Sequence, residues 1–290
     1  MTKYFYLTLT FIALILSSCS TKHDNNVLVV SIEPQRQLLE AIVGDKYNVE
    51  TILPSGANPE SFEITLKTRK DVDRAQAYFT VGTLPFESSI TETLPDNVIT
   101  VNCSEDIPPI FGTHGDHHHS DHHHGDHHHE GIDPHTWTSV KNMRLMAAKM
   151  IETIEKIDPK NQSYYRQRYQ ILDHSLDSLD HAFATQLATA PRHVFAVWHP
   201  SLSYLARDYN LNQISVGYEN KEISPSRMAT MIENARSAGV RDLFFQQQFD
   251  SRQVESLNSS LGANITTFNP LDYDWQSQLQ SIVSALCTQR

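Results

Sequence analysis

Residues Asp158–Ala188 read DPKNQSYYRQRYQILDHSLDSLDHAFATQLA. Asp158-Pro159 supplies an N-cap followed by a first-turn proline, the usual opening of a helix. Beyond it Tyr165, Tyr169, Leu172, Leu176, Leu179 and Phe183 recur at threes and fours, which draws one apolar stripe along a helix. No glycine or second proline interrupts the run. A helix from Pro159 to Ala188 has 30 residues and is about 45 Å long at 1.5 Å per residue. Whatever stands at its two ends is joined by a stiff spine, not by a flexible two-strand hinge.

The stretch before it, Ser139 to Lys156, is a second helix, with Met143, Met146, Met150 and Ile154 on one face. Outside this pair, short β-rich runs alternate with helical stretches. The first half has Val27–Ile32, Tyr47–Leu53, Ala77–Gly82 and Asn97–Asn102; the second has Val194–Trp198, Gln213–Gly217, Asp242–Gln247 and Asn264–Asn269. The runs are mostly apolar or only weakly alternating, as buried parallel strands are. Pro34 opens one intervening helix that Gly44 closes, and Ser224-Pro225 opens another ending near Gly239. The expected fold is α/β: two lobes, each a four-stranded, mainly parallel sheet flanked by helices, bridged by the long rigid helix. The boundaries read as an N-terminal lobe over 27–135, linker helices over 136–190 and a C-terminal lobe over 191–290. Where open parallel sheets meet, ligands bind beyond the carboxyl ends of the strands, so a site is expected in the cleft between the lobes.

The first residues stand outside this pattern. Lys3 precedes the apolar run Phe5–Leu16, which has the length of a signal-peptide core and is short for a membrane span. Leu16-Ser17-Ser18-Cys19 resembles a bacterial lipobox. That implies a lipoprotein signal peptide over 1–18, lipidation of Cys19 and a polar tether over 19–26. The absence of an acidic run after Cys19 favours the periplasmic side of a bacterial membrane. Apart from Cys19 the chain holds only Cys103 and Cys287. They pair only if the fold brings them together, and with no CxxC a thiolate zinc site is not expected.

With 290 residues, 34 acidic against 23 basic and a formal charge of −11, the chain suits cationic ligands and disfavours nucleic acid. No Gly-rich phosphate loop is present. Of 16 histidines, ten fall in one stretch: His114, His117, His118, His119, His122, His123, His124, His127, His128 and His129. The period-five repeat DHHHSDHHHGDHHH over 116–129 offers imidazoles that bind zinc, copper and nickel, with aspartates that attract cations. It lacks an apolar period and does not build one tetrahedral centre, so it reads as a loop of several weak, interchangeable sites. An internal tract broken by Asp is unlike a purification tag. A pH sensor is the other chemistry open to it.

Two further histidines occupy ordered places. His135, in Asp133-Pro134-His135-Thr136-Trp137, stands at the entrance to the first linker helix. His199, in Trp198-His199-Pro200, follows a strand at its carboxyl end. Taken with the order of strands, loop and long helix, these segments resemble the ZnuA-like (TroA-like) zinc and manganese solute-binding lipoproteins of ABC-type importers. Members of that family carry Gly-x-x-Pro-His-x-Tyr-Glu, Asp-Pro-His-x-Trp and a strand ending in His. The resemblance spans residues 27 to 290 and implies metal held in the cleft by His135 and His199. The family's first ligand falls in Gly56-Ala57-Asn58-Pro59-Glu60-Ser61-Phe62-Glu63, where Glu60 replaces histidine. A carboxylate ligates zinc too, but makes the site harder and less exclusive for zinc over manganese. Glu63 is expected to support that loop through backbone hydrogen bonds. Some members supply a fourth ligand as Asp after the last strand. Here Asn269 stands there, so Asn269, Asp272, water or a tract histidine is left to complete the shell. Gln246-Gln247-Gln248 occupies a place where the family often has an acidic residue.

The resemblance implies a monomeric extracytoplasmic protein that binds Zn2+, with Mn2+ the alternative, and delivers it to an ABC permease. Ligands must be deprotonated to bind, so affinity is expected to fall in acid. A metal buffer working through the tract alone is a second reading. A secreted metallohydrolase is a third, disfavoured because HExxH is absent and no general base stands beside the proposed ligands.

Overall fold

The inner strands of each sheet form where apolar runs are buried on both faces, and the outer strands carry polar residues and are partly exposed. The computed structural model describes residues 26–111, 131–217, 224–249 and 251–288. In the first lobe β1 (Val27–Val30), β2 (Asn48–Thr51), β3 (Ala77–Thr80) and β4 (Ile99–Asn102) form one sheet in the order β2-β1-β3-β4. In the second, β5 (Val194–Val197), β6 (Asn212–Ser215), β7 (Asp242–Gln246) and β8 (Asn264–Phe268) repeat that order as β6-β5-β7-β8. Every pairing is parallel, so the sheets are wholly and not just mainly so. β3 and β7 are buried at every residue, as central strands covered on both faces must be.

The helices are α1 (Glu33–Val43), α2 (Leu66–Asp73), α3 (Pro85–Thr91), α4 (Val140–Ile157), α5 (Gln162–Ala188), α6 (Ser203–Asp208), α7 (Pro225–Ser237), α8 (Ser251–Leu261) and α9 (Trp275–Cys287). Pro34 lies in the first turn of α1, and Gly44 closes it at φ 58°, the left-handed region that glycine enters without strain. The Ser139 hydroxyl caps α4 by accepting from the Asn142 N–H at 3.1 Å, and Met143, Met146, Met150 and Ile154 are all buried on it.

The spine spans Pro159 to Ala188, as the sequence suggests, but its first turn is not α-helical. Pro159–Asn161 forms a 3-10 turn, and the α-helix proper has 27 residues, about 40 Å. Asp158 turns its carboxylate to the Asn161 amide (2.6 Å) and the Tyr165 hydroxyl (2.8 Å). The helix buries Tyr165, Leu172, Leu176, Phe183 and Leu187, while Tyr169 and Leu179 are only partly covered. It packs on α4 along its length, on α1 and on α9.

One apolar core runs through the first lobe, both linker helices and the near face of the second sheet, joining Leu28, Phe79, Met146, Leu176, Phe195, Phe244 and Trp275. Alternation along β5 and β7 sends Ala196, Trp198, Leu243 and Phe245 to a smaller core on the far face. Polar ties cross between the lobes as well. The Trp275 indole donates to Gln37 Oε1 at 3.1 Å, the Tyr273 hydroxyl to Glu40 Oε2 at 2.7 Å, and the Trp137 indole to the Pro270 carbonyl at 2.8 Å. Cys103 is buried and Cys287 half-buried, and both are free thiols, so the two do not pair. The histidine tract and Cys19 lie outside the described residues. An antiparallel bridge between Phe111 and Ile132 joins the chain on either side of residues 112–130.

Candidate metal centre

In both sheets the strand order reverses between the first and third strands of the lobe, and the crevice beyond their carboxyl ends is where such folds bind ligands. Glu60 comes from the loop after β2. There the Asn58 side chain accepts the Glu60 N–H at 2.9 Å, a short-range turn of the kind Asn favours. Glu63 is exposed, and the side chain that supports this loop beside Glu60 is that of Asn58.

His135 sits where the lobes meet. One oxygen of Asp133 accepts both the His135 backbone N–H (2.9 Å) and its ring Nδ1–H (2.8 Å). The Asp133 carbonyl accepts the Tyr204 hydroxyl of the second lobe at 3.1 Å, and the Pro134 carbonyl accepts the Thr83 hydroxyl of the first at 2.8 Å. The turn carrying Thr83 is itself tied by the buried Glu87 carboxylate, which accepts the N–H groups of Val81, Gly82 and Leu84 at 2.6, 2.8 and 3.1 Å. His199 lies just past β5. Trp198 N–H still bonds to the Phe244 carbonyl at 3.1 Å, and the His199 carbonyl accepts Ser201 N–H at 2.8 Å.

These three segments bring Glu60 Oε1, His135 Nε2 and His199 Nε2 into one triangle. Its sides are 3.1 Å (Glu60 to His199), 3.3 Å (His135 to His199) and 3.8 Å (Glu60 to His135). Four donors about 2.0–2.1 Å from a zinc ion stand about 3.3–3.4 Å apart along the edges of a tetrahedron, so the triangle has the size of one tetrahedral face. Donating Nδ1–H to Asp133 leaves the Nε2 lone pair of His135 facing inward, the usual way a carboxylate fixes a metal-binding imidazole. Burial pushes the Asp133 carboxyl upward. Its bonds to the His135 ring, to Ser203 and to the His135 backbone outweigh that and hold it below the usual aspartate range.

The chamber around the triangle has about 10 Å³ of free volume, about what a single water-sized occupant needs. Trp137, Phe249, Pro270 and Leu271 form its apolar wall, and Gln246 and Gln248 add polar groups. Among His, Cys, Asp and Glu in the described residues, the one group of three or more placed to hold a metal is Glu60, His135 and His199.

Neither residue considered for a fourth ligand lines the chamber. Asn269 Oδ1 accepts the Leu271 N–H at 3.1 Å and its side chain borders a neighbouring cavity; Asp272 Oδ1 accepts the Asp274 N–H at 2.9 Å. The carboxylate of Asp133, which holds the His135 ring, is marked in the sequence only by its place two residues before the histidine, and nothing in the sequence marks Gln246 and Gln248 as lining the chamber.

A family model for the periplasmic component A of the zinc-uptake complex, ZnuA, matches residues 28–286. The high-affinity zinc uptake system protein ZnuA of Bacillus subtilis is 28% identical over 266 residues, covering 88% of this chain and 81% of that protein. The zinc-binding lipoprotein AdcA of Streptococcus pneumoniae is 25% identical over 283 residues, covering 94% of this chain but 56% of its own length. A crystal structure of ZnuA superimposes with a TM-score of 0.80 at 26% identity, covering 91% of this chain and 98% of that one.

Proposed function

This chain belongs to the ZnuA family of zinc-uptake components, and from that premise we propose that it captures zinc outside the cytoplasm and hands it to an ABC-type permease. The observation that carries the reading is the triangle of the partly buried Glu60 and the buried His135 and His199, whose sides match a tetrahedral zinc face. Glu60 comes from the first lobe, His199 from the second and His135 from the segment where the first lobe runs into the linker helices, so an ion held there joins all three. Two imidazoles favour zinc; the Glu60 oxygen makes manganese the alternative cargo. The protein is read as a binding protein and not a hydrolase: among the described residues the carboxylate grouped with the two imidazoles is Glu60, itself a proposed ligand, and Asp133 is engaged by His135, so neither is left as a base for water.

Around this centre the histidines of residues 114–129 act as an accessory capture loop, on the strength of their composition. Lipidation at Cys19 would hold the monomer on the periplasmic side of a bacterial membrane. Among the described residues no helix is long and apolar enough to cross one.

Calorimetric titration of zinc into a soluble form lacking residues 1–19 and 114–129 tests the reading. One tight site is expected, and His199→Ala should abolish it. A loop-deleted protein with no tight site would sink the transport reading and leave a buffer that works through the tract.

A further inference from the structure

Glu60, His135 and His199 supply three corners of a tetrahedron, and the fourth is open to whatever else lines the chamber. Gln248 lines it, just past the end of β7. Its Nε2 donates to Gln246 Oε1 at 3.3 Å. Its Oε1 is buried and has no hydrogen-bond partner among the described residues. A buried amide oxygen with both lone pairs unused is rare, because removal from water is costly unless a donor or a cation replaces the water. With the Nε2 end turned to Gln246, the Oε1 end is the one left free. Neutral amide oxygens are established ligands of hard cations.

We propose that the amide oxygen of Gln248 is the fourth ligand of the metal centre. The inference rests on the metal-binding reading of the triangle. It assigns to Gln248 the place that Asn269 and Asp272, both engaged in local turns, do not fill. Glu60 is then the one anionic ligand, so the bound divalent ion keeps a net positive charge, and a carboxylate at position 248 would neutralise it. Gln248 and Leu271 also border the neighbouring cavity of about 260 Å³, which puts Gln248 at the boundary between the metal chamber and that wider space.

The test uses the full chain, with zinc supplied at less than one equivalent under a competing chelator so that the tightest site fills first. Wild type, Gln248→Leu, Gln248→Glu and His199→Ala are compared. Proteins labelled with 13C at the glutamine side-chain carbonyl report directly on ligation. Gln248→Leu is expected to weaken zinc binding roughly tenfold or more, the scale on which residues supporting a metal site act. Gln248→Glu is expected to tighten it. One glutamine carbonyl resonance should shift on adding zinc to wild type and be missing from the Leu variant. Unchanged affinity in both Gln248 variants, with the site still lost in His199→Ala, would overturn the proposal and leave water as the fourth ligand. Altered rates at constant affinity, with no carbonyl shift, would also overturn it and make Gln248 only a door. Zinc retained in His199→Ala would instead overturn the reading of the triangle itself.

Discussion

One oxygen of Asp133 accepts two N–H groups of His135, so a single carboxylate sets both the backbone turn and the ring tautomer. Removing it should free the imidazole to rotate or to place its proton on Nε2, where it would face the ion. Asp133→Ala is therefore expected to weaken zinc binding roughly 10–100-fold, the usual cost of losing the partner of a ligating histidine, while Asp133→Asn, which keeps an acceptor, should recover part of the loss. Chelator competition on the two variants measures this; an Ala variant with wild-type affinity would show that Trp137 and the surrounding walls hold the ring unaided. The approach of His135 and His199 is legible in sequence because each sits at a landmark, a helix entrance and a strand end. Gln248 is not legible in that way. Three consecutive glutamines look alike on paper, and only the fold separates them: Gln247 is exposed, while Gln246 and Gln248 both line the chamber and Gln248 alone of the two keeps a buried oxygen without a partner among the described residues. Asn269 misleads for the opposite reason, since its place in the chain resembles a ligand position while its side chain is used in a turn.

The linker helices show how much of an element's shape lies in its spacing. All eight strands fall inside or within a residue of the runs read from composition; the inner strands are nearly unbroken apolar stretches, as buried parallel strands are, while the outer ones mix polar and β-branched residues. The first turn of the spine is not legible, since Asp-Pro opens a 3-10 turn and an α-helix alike. Steps of four and three along its apolar stripe put Tyr169 and Leu179 on opposite margins of the face centred on Tyr165 and Phe183, where they are only partly covered. The Asp158 carboxyl that opens the spine is held below the usual aspartate range, chiefly by the Asn161 side chain against the opposing effect of burial, with Tyr165 adding a further bond. A carboxyl lowered in the folded state adds stability that is complete above its unfolded value, about 3.9, and disappears as pH falls through the lower folded value. Wild type should thus be more stable than Asp158→Asn by a constant margin at pH 5 to 7. That margin should close as the pH drops below about 4. Urea unfolding of both proteins in steps across this range measures it, and a margin independent of pH would mean that the ionised carboxylate is not what anchors the turn.

At the scale of the whole molecule, the lobes share one core and are not merely tethered. Leu176 of α5, Phe79 of the first sheet and Phe244 of the second belong to the same buried cluster, and Trp275 of the second lobe is buried while its indole reaches Gln37 of the first. Opening the cleft like a jaw would expose such residues, each at about 1.5–3 kcal/mol for a large apolar side chain. It would also break the Trp137–Pro270 bond beside the metal chamber. Binding of one small ion cannot set that cost against large new contacts, because the chamber has room for little more than the ion. The free and loaded forms should therefore differ by local shifts of the loops bearing Glu60 and Gln248, with the lobes fixed. Small-angle scattering of the metal-free and zinc-loaded protein is expected to give superimposable curves, and distances between spin labels placed on α2 and α7 should agree in the two states. A rotation on the order of tens of degrees, of the kind hinged binding proteins undergo, would contradict this. It would mean that the shared core shears on binding, and that a permease tells loaded from empty protein by the orientation of the lobes instead of by the loops at the mouth of the cleft.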